Sequence, residues 1–127
     1  MYRSNLLNDA MTVLQESKIV SNNCADKAYN GAIAAFGAAL IQSGLLTTLA
    51  MYKHDSGDAS RPKIMDALFR MIKHHHIGIP TPTENESDLL EYALHHYQTH
   101  LPLIEKRVTE AAIALKLALR TFKLIKS

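Results

Sequence analysis

No charged residue lies between Lys27 and Lys53. A stretch of that kind can go into a membrane or into the interior of a packed fold. Crossing a bilayer takes about 20 consecutive apolar residues. Here the run is interrupted by Asn30, Gln42, Ser43, Gly44, Thr47 and Thr48, and much of the rest is Ala and Gly. Polar groups at mid-bilayer are costly. The pattern therefore predicts two buried helices broken at Ser43-Gly44, and no membrane span. In the first of them Tyr29, Ile33, Phe36 and Leu40 fall on one stripe. Ala28, Ala32, Ala35 and Ala39 beside it allow a neighbouring helix to approach closely. Gly44 is free to take positive φ and end the helix.

The same 3.6-residue period runs through every long segment, and no useful length alternates like a strand. Six helices are expected: Ser4 to Glu16, Asn23 to Gln42, Leu45 to His54, Arg61 to His75, Glu86 to His100, and Pro102 almost to Lys126. Pro62 and Pro102 suit first-turn positions. Ser21-Asn22-Asn23 suits a turn or a cap, and the polar loop Asp55 to Ser60 a disordered link. With 6% aromatic residues and no Trp, the core must come from Leu, Ile, Ala and Met, which favours helix packing. The expected fold class is all-α: a compact bundle of about six helices, with residues 1–127 forming one domain.

Catalytic motifs are missing. There is no phosphate-binding Gly-rich loop, no G-x-S-x-G and no C-x-x-C. The single Cys24 allows no internal disulfide and fits a reducing compartment. No signal peptide is visible, so a cytoplasmic location is expected. Three consecutive histidines, His74-His75-His76, point about 100° apart on a helix and cannot share one ion without unwinding it. His96 and His100 have a chelating i, i+4 spacing, but the acidic residues Glu84, Glu86, Asp88 and Glu91 cluster at the other end of that helix. The histidines are read as surface or helix-terminal groups and the acids as a solvated helix start. No catalytic residue, metal ligand or cofactor is expected.

Charge is distributed unevenly. Residues 1–60 hold four Lys/Arg and five Asp/Glu, a balance of −1; residues 61–127 hold ten and seven, a balance of +3. From Lys106 onward six basic residues face one acid, Glu110. Lys116, Arg120 and Lys123 are spaced i, i+4, i+7 on the expected last helix, with Lys106 near that face and Lys126 at its margin. Ile104, Val108, Ala111, Leu115, Ala118, Phe122 and Ile125 fall broadly opposite. Arg61, Lys63, Arg70 and Lys73 form a second basic group on the fourth helix. Such a surface is either a solvated face or a contact for nucleic-acid phosphates, the latter independent of sequence.

The run Ala35-Phe36-Gly37-Ala38-Ala39-Leu40-Ile41-Gln42-Ser43-Gly44-Leu45-Leu46-Thr47-Thr48-Leu49-Ala50-Met51-Tyr52 resembles the central signature of the small-subunit family of the type III-B CRISPR effector, the Cmr complex. Gln42, Gly44, Leu45, Thr48, Leu49, Ala50 and Tyr52 match its polar–Gly–Leu turn and short Thr/Leu/Ala helix. The last helix, with Ala112, Leu115, Leu117 and Ala118, is also similar; the stretch around His74–Thr83 departs from the family's pattern. The resemblance implies an all-helical, non-catalytic subunit. It would stack with further copies in a minor filament beside the backbone subunits and the large polymerase-like subunit, where guide and target RNA lie. The basic residues carry over as a surface property. Two other readings of the residues stand beside it: a helical adaptor that binds only protein, and a metal-dependent hydrolase built on the histidines.

Overall fold

The computed structural model describes residues 2–54 and 59–125; the loop residues 55–58 and Lys126 lie outside the described residues. The first helix, α1 (Tyr2–Glu16), leads into a short hairpin of β1 (Val20–Ser21) and β2 (Cys24–Asp26). Then come α2 (Lys27–Ser43), α3 (Leu45–Lys53), α4 (Ser60–His74), α5 (Leu89–Leu119) and β3 (Lys123–Ile125). The all-α expectation holds. The helices number five among the described residues, and a three-stranded sheet in the order β1-β2-β3 joins them.

The fifth and sixth expected helices are one, because α5 continues through Pro102. A proline inside a helix removes one backbone hydrogen bond and crowds the preceding turn. Here Pro102 and Gln98, whose carbonyl loses its partner, both face solvent, while Leu89, Tyr92 and Ala93 before the proline and Ile104 and Val108 after it are buried. The buried stripe on both sides holds the helix together across the break. Its start is at Leu89 and not Glu86. Asp88 is the cap, its carboxylate accepting from Glu91 N at 2.8 Å, and Glu91 accepts in return from Ser87 N at 2.8 Å. This is close to a reciprocal capping box, and it sets the first turn.

The hairpin has a local cause. Asn22 and Asn23 both have positive φ, 54° and 61°. Two such residues between paired strands make the mirror-image turn that matches strand twist. The hairpin displaces the start of α2 to Lys27, where Asp26 accepts from Ala28 N at 2.9 Å. β3 pairs with β2 in parallel, Cys24 opposite Lys123 and Asp26 opposite Ile125. The last helix therefore stops at Leu119 rather than near Lys126.

At Gly44 the chain takes φ 79°. Its N–H bonds back to Leu40 O at 3.0 Å and closes α2. The new N-terminus at Leu45 is capped from a distance: Leu45 N donates to Glu105 Oε2 of α5 at 2.8 Å. The break at Ser43-Gly44 is thus as expected. The two helices fold against each other through Phe36 and Tyr52, whose rings meet edge to face at 5.2 Å, and Tyr52 Oη donates to Ala32 O at 2.9 Å. α5 is the central element and packs against α1, α2, α3 and α4. Its Ile104, Val108, Ala111, Leu115 and Ala118 are fully buried, as expected, whereas Ile125 is 42% exposed on β3. No helix among the described residues is long and apolar enough to cross a membrane.

Candidate nucleic-acid interface

The basic residues singled out in the sequence divide into two kinds. On α4 most are engaged. Arg61 lies over the Tyr52 ring at 4.8 Å and donates to Met51 O at 3.5 Å. Arg70 pairs with Asp66 at 2.9 Å and reaches Glu16 at 3.8 Å. Lys73 sits over the Phe69 ring at 4.6 Å. Lys63 donates to the carbonyl of Lys18 at 3.4 Å. On α5 and β3, Lys106, Arg120 and Lys123 are exposed and Lys116 is half-buried. None of these four forms an ion pair among the described residues.

The single helical rail expected from Lys116, Arg120 and Lys123 does not form. Arg120 caps the C-terminus of α5, and Lys123 lies in β3. Its backbone N–H donates to Asn23 O at 3.1 Å, which carries the side chain to the hairpin. The parallel pairing brings the cationic end of the chain to the same small sheet as two lysines outside the predicted basic groups, Lys18 before β1 and Lys27 after β2. Both are exposed. The Asn22-Asn23 pair was the one local signal of that arrangement.

Arg107, by contrast, is internal wiring. It donates to Glu110 Oε1 at 2.8 Å and to Ile77 O at 2.8 Å. The buried His75 also meets Glu110 Oε1, at 3.0 Å. His74 is exposed and His76 half-buried, so the three consecutive histidines do splay apart. His96 Nε2 faces Glu86 Oε2 at 2.8 Å, and His100 Nδ1 lies 2.7 Å from Thr99 Oγ1.

Glu86 corrects the expectation of a solvated acidic start. Its side chain is only 3% exposed. Oε1 accepts from Thr83 N at 2.8 Å, and Oε2 faces His95 Nδ1 at 3.0 Å and His96 Nε2 at 2.8 Å. An ionised carboxylate only accepts, so both ring nitrogens donate. Burial pushes the Glu86 carboxyl up, but the Thr83, His95 and His96 bonds outweigh it and hold it below the usual range. Burial, together with the Glu86 charge, pushes the Tyr92 hydroxyl up to about 12. Among the described residues no group of three or more His, Cys, Asp or Glu is arranged to hold a metal ion.

This helical frame, with the Gly44 turn leading into α3 and a long last helix, can be compared with known proteins. The model of the family described as CRISPR-associated protein (Cas_Cmr5) matches residues 5–120. The chain belongs to the CRISPR-associated Cmr small-subunit family. Its family makes it a CRISPR Cmr complex subunit. A search of the curated proteins and one of the solved structures returned no match. Within this Cmr family member, the matched span ends at Arg120, so Lys123 and its strand lie beyond it.

Proposed function

We propose that this Cmr family member is a non-catalytic, cytoplasmic subunit that works as one helical domain. In this reading it stacks with further copies of itself beside the backbone and large polymerase-like subunits, and helps to hold guide and target RNA on a basic surface. The observation that carries the reading is the set of cations that form no ion pair among the described residues, Lys116, Arg120 and Lys123 at the end of α5 and on β3 with Lys106 earlier on α5; the engaged α4 group, Arg61, Lys63, Arg70 and Lys73, extends the basic surface. Cations left unneutralised are available to phosphates, and phosphate contacts give affinity without sequence preference. Family membership supplies the setting, and His75, His95 and His96 are bonded to Glu110 and Glu86 within the fold. The test is purification of the complex from native cells through a tag on this chain. Co-purification of other effector subunits with short RNA is expected. Recovery of those subunits without RNA cross-linkable to this chain would overturn the RNA role, and recovery of the chain alone would overturn the assembly role.

A further inference from the structure

We infer that the RNA backbone lies across the sheet end of the molecule, and that Lys18 and Lys27 are part of that contact. This inference rests on the RNA-binding reading above and narrows it. Three short strands spaced about 4.8 Å apart span roughly 10 Å. Around them the fold gathers cations from segments remote in sequence. Lys123 lies in β3 with Cys24 as its strand partner. Lys27 opens α2 directly after β2 ends. Lys18 stands two residues before β1, in a left-handed turn with φ 64°, and its carbonyl receives the ammonium of Lys63 at 3.4 Å. Arg120 is three residues before Lys123, and Lys116 is one helical turn earlier.

The carboxylate closest in sequence to these groups, Asp26, caps α2 through Ala28 N. No acidic residue follows Glu110. The register sets Lys123 opposite Cys24 at the turn end of the sheet and leaves Lys27 three residues further along, about 10 Å, a spacing comparable with the screening length of about 8 Å at physiological salt. The remaining candidates stand apart. Lys106 is fourteen residues from Arg120 along α5, about 21 Å. Lys73 is ten residues from Lys63 along α4, about 15 Å. Arg70 is neutralised by Asp66 and Glu16.

The cations are distributed over several segments and do not converge on one point, which suits a chain of phosphates and not a single phosphate. The aromatic side chains nearest in sequence, Tyr29 and Phe122, pack against the core. With both rings partly buried, little aromatic surface is left for base stacking among the described residues, and the contact is chiefly to the backbone.

The test uses the full chain and a fluorescein-labelled uridine RNA of about 20 nucleotides, with anisotropy followed between about 50 and 200 mM salt. A Lys18→Gln, Lys27→Gln variant is expected to bind about tenfold more weakly, and to lower the log–log salt slope by about 1.4, two single-strand phosphate contacts. A Lys53→Gln variant, whose cation is paired with Asp88 and lies outside the basic surface, is expected to bind as the natural chain does. Far-UV circular dichroism confirms that both variants fold. Undiminished binding by the Lys18/Lys27 variant would overturn this placement and leave the RNA reading intact. No binding by the natural chain would overturn both.

Discussion

Single side chains in this protein fix junctions that their own segments leave open. Glu105 caps α3 from a helix sixty positions away in sequence. Replacing Glu105 with Ala leaves the Leu45 N–H without that acceptor and should cost about 1–2 kcal/mol in urea unfolding, in the range of a lost helix cap. Glu105→Gln, which keeps an acceptor, should cost less. Glu86 and Asp88 give a pH signature. Burial raises the Asp88 carboxyl, but its bonds to Lys53 and to Glu91 N hold it below its ordinary value, and Glu86 is held low by its own partners. A carboxyl lowered in the folded state stabilises the fold above its unfolded pKa and ceases to as pH falls through the folded one. The urea midpoint should therefore decline as pH drops below 4.5 and 3.8, the ordinary values of the two groups. Glu86→Gln should flatten that decline, and an unchanged profile in the variant would refute the assignment.

Among the elements, α5 departs most from what its sequence suggests. Pro102 reads as a helix start, and within a helix it is destabilising. Since Pro102 is exposed and its helix is held by buried side chains on both sides, Pro102→Ala should stabilise the protein by about 1–3 kcal/mol, measured as a shift in urea midpoint at unchanged slope. A loss of stability would mean that the proline is matched to a bend the core requires. The other helices were legible because their apolar stripes repeat locally, and the boundary at Gly44 because a positive φ has a residue preference. The strands were not legible. Two or three residues cannot display an alternating pattern, and β3 exists only through pairing with β2, about a hundred positions earlier.

At the scale of the whole molecule, one continuous cluster of buried side chains draws on every helix, from Leu6 of α1 to Leu119 of α5. Unfolding should accordingly be a single transition, with far-UV circular dichroism and the fluorescence of the buried Tyr52 and Tyr92 coinciding; separated midpoints would show independent units. The helical class, the apolar faces and the family signature were all present in the sequence, because each depends on residues a few positions apart. The cationic residues were legible too, but not where they gather. Helical spacing placed Lys123 on a rail with Lys116 and Arg120, and the parallel strand carries it to the Asn22-Asn23 turn instead. The burial of Glu86 between Thr83 and two histidines was hidden for the same reason. Periodicity is a local property that the chain carries before it folds. Which distant segments meet, and so which charges lie within a screening length of one another, is decided by how the helices pack around α5.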